Sequence, residues 1–487
     1  MKIYSSSREF SSLVFAALFS ANLYSAAKEV KPPANPATPY VTSSGRIGGI
    51  PDEARQIYGQ EDSRTLIGKV WTLPDLINEA LMRNPSTRSA WESANASAAD
   101  LGTAKANYYP TVTLSGYVSG DYSRTPTFPG ATTTKSGSLT PEVDVSWTVF
   151  DFGATKASVE KARFTLLASN FSFNNTLQSV ALTVLTDYYS LDQAKANVAN
   201  AEEALRYARV NLESVQQQLN AGLTTSTALL QAQQTVAQDE YTLVSNRGTQ
   251  HTAEVALAVA VGLPGGTPLK VASPGEPPDM DRLEANIQKL VDLAIKQRPD
   301  IANYYSTYMA DAASARQAHA NRFPTFKFSF TGSRSFEQVH SSPGSGGSGY
   351  SDSVTAGLTV SYTLFDGGSL RDKELSAAHT AAAAKETLAN AELTASNEVA
   401  AYYYGYKTAL SEYKYAKVLV ESSQKSYDSV LVSYRAGLST ILDLLTAQSN
   451  LASAKYTFIQ ARTAVFTNSV ELASATGSML KPGKATR

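Results

Sequence analysis

A repeat with a fixed period constrains this chain more than any other feature. Asn84-Pro85 recurs as Arg298-Pro299, and Tyr109-Pro110 as Phe323-Pro324, each 214 residues on. Phe150-Asp151 recurs as Phe365-Asp366, Tyr188-Tyr189 as Tyr403-Tyr404, and Ala221-Gly222-Leu223 as Ala436-Gly437-Leu438, each 215 residues on. Gly262 matches Gly477 at the same shift. Turn markers kept in step over such a distance imply two tandem copies of one unit, 71–262 and 285–479.

Each copy reads the same way. Residues 73–107 are rich in Ala, Leu, Asn and Glu and predict a helix that stops before Tyr109-Pro110, since proline disfavours helix in its predecessor. Val112, Leu114, Gly116 and Val118 then alternate with Thr113, Ser115, Tyr117 and Ser119. Val143, Val145, Trp147 and Val149 alternate with Glu142, Asp144, Ser146 and Thr148. Period two with one apolar and one polar face marks a half-buried strand. The second copy sets Phe326, Phe328 and Phe330 against Lys327, Ser329 and Thr331, and Val354, Leu358, Val360 and Tyr362 against Thr355, Thr359, Ser361 and Thr363. Four strands follow, at about 111–122, 142–150, 325–333 and 353–364. Each has roughly the 9–11 residues that a tilted strand needs to cross a bilayer. Gly344, Gly346 and Gly349 form a GxGxxG, but it lies between two strands and precedes no helix, so a flexible hairpin loop is expected there and no phosphate site.

Residues 153–220 contain no proline and predict one helix, roughly 100 Å long at 1.5 Å per residue. Its apolar seam runs Leu177, Val180, Val184, Tyr188, Leu191 and onward to Leu219, twelve steps over 42 residues. The mean spacing of about 3.5 is that of a left-handed coiled-coil seam. The second copy repeats it with Val399, Tyr403, Tyr406, Ala409, Tyr413, Ala416, Val420, Tyr427, Val430 and Tyr434. Return helices are expected over 224–262 and 439–477, and opening helices over 73–107 and 285–321. Two half-length helices set end to end match one long one. Segments 28–70, 263–284 and the tail 480–487 are then expected to gather at the middle, where the half-helices meet.

Composition narrows the function. Lys2, Arg8 and the apolar run Leu13 to Tyr24, with Ser25 and Ala27 before Lys28, predict a signal peptide over 1–27. The 42 basic and 43 acidic residues leave a net charge of −1, which gives no basic field for nucleic acid. There is no cysteine, hence no disulfide, thiolate metal site or cysteine nucleophile. His251, His319, His340 and His379 are widely spaced without ligand spacing, so neither catalysis nor a cofactor is expected. Four strands cannot close a membrane barrel, whose smallest examples have eight, and an open edge in lipid leaves backbone groups unpaired. Several protomers must share one barrel. Two would give eight strands and a filled interior, and three would give twelve and a channel. A coiled-coil stalk or adhesin explains the helices but not the strand pairs; a self-sufficient porin explains the strands but not the helices.

The order helix, strand pair, long helix, Gly-Leu turn and return helix, twice over 71–480, resembles the TolC family of bacterial outer-membrane efflux and secretion ducts. Its local markers are the Asn-Pro and Tyr-Pro steps, Phe150-Asp151-Phe152-Gly153, Phe365-Asp366-Gly367-Gly368, and Tyr434-Arg435-Ala436-Gly437-Leu438 followed by Ile441-Leu442-Asp443-Leu444-Leu445. The resemblance implies a mainly α protein with a membrane β-barrel: a homotrimer with a twelve-stranded barrel in outer-membrane lipid and a long coiled-coil α-helical barrel in the periplasm. It implies docking of Gly222-Leu223 and Gly437-Leu438 on a periplasmic adaptor backed by an inner-membrane pump. It also places a gate at the tunnel's inner end. Asp443 matches an acidic ring position, Tyr434 a tyrosine of the closing network, and Thr446 stands where many members carry a second acid. The family's arginine after the turn is here Ser439, and its acidic partner in the first copy is Ala228, so packing of the helix ends is expected to carry closure. For Asp443 the plain alternative is a solvated acid at a helix N-terminus.

Overall fold

The computed structural model describes residues 70–277, 286–342 and 344–479. The expected signal peptide, all of 28–70 except Val70, the segment 278–285 and the tail from 480 lie outside the described residues. Eight described helices fall into two sets of the same order and lengths. The first is α1 (Leu73–Arg83), α2 (Pro85–Ala106), α3 (Ala154–Asn220) and α4 (Ser226–Ala260), with 11, 22, 67 and 35 residues. The second is α5 (Ile287–Gln297), α6 (Pro299–Ala320), α7 (Ser369–Arg435) and α8 (Ile441–Ala475), again with 11, 22, 67 and 35. At 1.5 Å per residue α3 and α7 are each about 100 Å long. No described helix is long and apolar enough to cross a membrane.

Each opening helix is two helices, which corrects the expectation of one over 73–107 and one over 285–321. Asn84 and Arg298 precede proline and adopt extended backbone, ψ 126° and 124°, as the proline ring requires of its predecessor. Pro85 and Pro299 then open the next helix, where a missing N–H costs nothing. The two kinks have a shared use. Asn84 Nδ2 donates to Ala260 O at 3.0 Å, and Arg298 Nη1 to Ala475 O at 3.3 Å, so each caps the carbonyl end of a return helix. Gly262 and Gly477 (φ 88° and 71°) follow those helices, and a Cβ on either would meet the kink's backbone at 3.1 and 2.9 Å.

Among the described strands, β1 (Val70–Trp71) and β4 (Lys270–Val271) form a short parallel pair. The long ones are β2 (Thr111–Thr127), β3 (Gly130–Phe150), β5 (Thr325–Ser342) and β6 (Ser345–Ser361), antiparallel in the order β2-β3-β5-β6. They have 17, 21, 18 and 17 residues, well beyond the lengths expected from alternation. The expected flexible loop is part of this ladder: Gly346 pairs with His340 and Gly349 with Glu337, and Gly344 (φ 83°) lies just before β6. Backbone pairing with β5 overrides the weak strand preference of Gly and Ser. At the other end β6 stops at Ser361, short of the expected 364.

The largest core cluster sits midway along α3. Tyr188, Leu191, Val184 and Val180 pack there on Trp71, Leu76 and Ala80 from β1 and the first kinked pair, and on Leu257, Val261 and Leu263 from the end of α4. Residues following β4 are stitched to the same level. Tyr188 Oη donates to Ala272 O at 2.6 Å, and Arg462 of α8 bridges Asp192 (2.8 Å) and Gly275 O (2.6 Å). The second set has a smaller cluster of Val291, Ala294, Val399 and Ala475, beside which Arg298, only 12 % exposed, pairs with Asp300 (2.7 Å) and Glu398 (2.6 Å).

Candidate gate and docking turns

Both long helices end in the same glycine-dependent turn, far from the sheet. Leu223 N–H donates to Gln218 O at 2.8 Å and Gly222 N–H to Leu219 O at 2.9 Å; Leu438 to Ser433 O (2.9 Å) and Gly437 to Tyr434 O (3.0 Å) repeat the pattern. This is a Schellman arrangement, in which glycine supplies the left-handed residue, here at φ 74° and 73°. Space does not dictate the choice, since a Cβ on Gly222 or Gly437 meets nothing within 4 Å. The next residues, Leu223 and Leu438, are 78 % and 83 % exposed. Thr225 and Thr440 then cap the return helices α4 and α8.

Asp443 is the third residue of α8 and closes a capping box with Thr440. Its Oδ2 accepts from Thr440 Oγ1 at 2.7 Å and Thr440 N–H at 2.9 Å, while its own N–H donates to Thr440 Oγ1 at 3.2 Å. The hydroxyl bond, then the backbone bond, draws its carboxyl below the usual aspartate range. Leu442, Asp443 and Thr446 share the exposed side of α8, while Leu444, Leu445, Ala447 and Gln448 are buried. Ala228 is buried beside Val215 and Ala232, with Ile441 of α8 packed on them. Tyr434 Oη donates to Gln218 Oε1 at 2.9 Å, which joins the end of α7 to the end of α3. Burial pushes the Tyr434 phenol up, against the smaller effect of that bond.

The residues that fasten α8 to α3 lie outside the apolar seam and were not anticipated. Buried Asn211 Nδ2 donates to Gln448 Oε1 at 2.7 Å, and Gln448 Nε2 to Ala204 O at 3.2 Å. Lys455 Nζ meets Glu203 Oε2 at 2.6 Å, Tyr207 Oη donates to Glu203 Oε1 at 2.9 Å, and Asn200 Nδ2 to Ala452 O at 3.1 Å. Burial opposes charge on Glu203, yet the bonds from Lys455 and Tyr207 prevail and its pKa is lowered. Asn200, Glu203, Tyr207, Asn211 and Gln218 recur at helical spacing, a polar stripe beside the apolar seam that the same count would find.

The sequence profile of outer membrane efflux proteins matches this chain twice, over residues 76–263 and 290–478. The protein CyaE of Bordetella pertussis is 27 % identical over 409 residues, 84 % of each chain. The outer membrane protein TolC of Escherichia coli is 22 % identical over 424 residues, 84 % of this chain and 82 % of its own. Among solved structures, the Campylobacter jejuni CmeC outer membrane channel superposes with a TM-score of 0.72 at 18 % identity, over 92 % of this chain and 94 % of its own. With more than three quarters of the sequence matched by one profile, the chain belongs to the outer membrane efflux protein family.

Proposed function

We propose that this protein is the outer-membrane exit duct of a tripartite efflux or type I secretion system. Three copies of a tandemly duplicated chain close a twelve-stranded barrel and a coiled-coil tunnel in the periplasm. One observation carries the reading: among the described residues the four-stranded sheet is open at both edges, β2 and β6, with 17 residues of unpaired ladder on each. An edge of that length invites pairing in water and leaves backbone groups unpaired in lipid, so it needs another protomer beside it. Twelve strands leave a wet lumen lined by the polar face. The exposed leucines of the Gly-Leu turns suit a periplasmic adaptor backed by an inner-membrane pump, and Asp443 with Thr446 and Tyr434 marks the gate at that end. A chain without cysteine cannot take lipid on an N-terminal cysteine as many drug-efflux members do, which favours secretion or a general-purpose duct.

The absence of native cysteine makes a clean test. Thr113 on β2 and Thr355 on β6 lie in one row of the polar face, separated by β3 and β5. Three strand spacings put them about 14 Å apart within a chain, too far for a disulfide or a short linker. Closing tilted strands into a barrel staggers the β6–β2 seam between protomers by about five residues, so Thr113→Cys is combined in turn with a cysteine at Ser351, Ser353, Thr355, Thr359 or Ser361 along the same face of β6. One of these combinations, treated with a short thiol cross-linker in outer membranes, should give covalent dimers and trimers. Only monomer from every combination, with both thiols reactive, would count against a shared barrel.

A further inference from the structure

The strand register sorts the charged side chains of the sheet by face. Asp144 pairs with Thr113 and Thr331, Glu142 with Ser115 and Ser333, and Lys327 with Thr148 and Thr359, all on the polar face. Asp121 and Glu337 continue that face, opposite Ser136 and Ser138 of β3. The other face carries Phe326, Phe328 and Phe330 with Trp147, Val145, Val143, Leu358 and Val354. Farther along, it carries Arg334, Lys135, His340 and Arg124, with Asp352 as its single acid. Side-chain contacts agree with the sorting. Thr331 donates to Asp144 at 2.8 Å, and Thr134 meets Ser341 at 3.2 Å, on the polar side. Arg334 meets Asp352 at 2.5 and 2.9 Å and lies 5.3 Å from the Tyr350 ring, and Lys135 lies 5.9 Å from the Tyr122 ring, on the apolar side. Four of five charges on the polar face are acidic, while three of four on the apolar face, histidine aside, are basic.

The cations also gather toward the hairpin end of the sheet. The apolar band runs from the row of Phe326 and Val360 to the row of Phe336 and Tyr350, ten residues along β5. At about 3.4 Å per residue and a tilt near 40°, that is roughly 26 Å, close to the apolar band of a membrane barrel. Arg334 stands one row inside the last aromatic row. Lys135 and His340 stand two rows beyond it and Arg124 three, roughly 10–16 Å farther up, just above a headgroup layer about 5–8 Å deep. The hairpin ends lie opposite the helices, which places these cations on the side of the outer leaflet.

We propose that Arg124, Lys135 and Arg334 form a binding belt for the phosphate groups of outer-leaflet lipid. The belt rests on the duct reading, because the apolar face must meet lipid. Asp352 engages Nε and Nη2 of Arg334 and fixes the plane of the guanidinium. Nη1 takes no part in that pair and can donate to a phosphate. Lys135 and Arg124 supply charge from above the headgroup layer, on long side chains that can bend down to it. A belt of this kind ties the barrel to the outer leaflet without placing charge in the lumen.

Native mass spectrometry of the full-length trimer, reconstituted with diphosphorylated lipid A or with the same lipid stripped of phosphate, tests this. Wild type should retain the phosphorylated lipid preferentially, and added salt should erode the preference. Arg124→Gln with Lys135→Gln, both outside the apolar band, should weaken retention of the phosphorylated lipid roughly tenfold or more and leave the stripped lipid unaffected. Equal retention of both lipids by wild type would overturn the belt, as would an unchanged preference in the double variant. If the variant did not assemble, the two-lipid comparison on wild type would still decide. Trimer mass and conductance on the same sample separate the two readings: a monomer without conductance contradicts the duct, whereas a conducting trimer without phosphate preference contradicts only the belt.

Discussion

Asp443 performs one task within a protomer and would perform a second in the proposed trimer. Within the protomer its carboxylate is engaged by Thr440, and those bonds lower its pKa. The stability it contributes is therefore present above the ordinary aspartate range and lost as pH falls through the lowered folded value. Three such carboxylates converging on an axis would repel one another and raise the apparent pKa of the group. Block by multivalent cations in planar bilayers should then titrate above the free aspartate value of about 3.9. Asp443→Asn should weaken both block and cation selectivity. A midpoint below that value, or unchanged selectivity, would leave Asp443 a capping residue alone. The docking turns make a separate prediction. Gly437→Val forces a β-branched residue to φ 73° in otherwise open space, so it should disturb the turn locally. Transport measured in cells should fall to background while the trimer persists; normal export would remove the docking role.

Among the elements, legibility follows periodicity. The helices α3, α4, α7 and α8 are plain in the sequence because an apolar seam and glycine punctuation agree on their limits. The kinks at Asn84 and Arg298 are visible there only as repeat markers, because the composition is helical on both sides and the break is made by one local clash with the following proline. The outer halves of the strands are hidden because Ser, Thr and Gly fill both faces there, as in Thr132-Thr133-Thr134 and Ser345-Gly346-Gly347-Ser348, and no alternation remains to be counted. The bonds between α3 and α8 leave no mark on the apolar seam, because they belong to the polar stripe next to it, which reads equally well as a solvated face. That stripe can be tested through Glu203 and Lys455, 31 % and 23 % exposed. Lys455→Met should destabilise the protein by about 1–2 kcal/mol at neutral pH, since Glu203 loses its partner in a partly buried site. Because the Glu203 pKa is lowered, the pair's contribution is fully present above the free glutamate value of about 4.3 and fades as pH falls below it. Denaturation of wild type and variant across that range should converge at low pH; a difference independent of pH would mean that Lys455 acts by packing.

At the scale of the whole molecule, one protomer is an incomplete object. Among the described residues its sheet has two open edges, its Gly-Leu turns expose leucine, and its helices carry exposed apolar side chains such as Tyr241 and Val244 on α4 and Tyr404 and Tyr415 on α7. The strand edges and the helix faces are satisfied at once if three copies close around an axis, which leaves the turn leucines for a further partner. Two copies would satisfy the strand edges while filling the barrel interior with side chains. A duct therefore depends most on the number of chains in the folded particle. Native mass measurement of the protein extracted from outer membranes in mild detergent reads that number directly. A shared twelve-stranded barrel requires a single species of three chains that survives dilution, and a stable, folded monomer or dimer would contradict it.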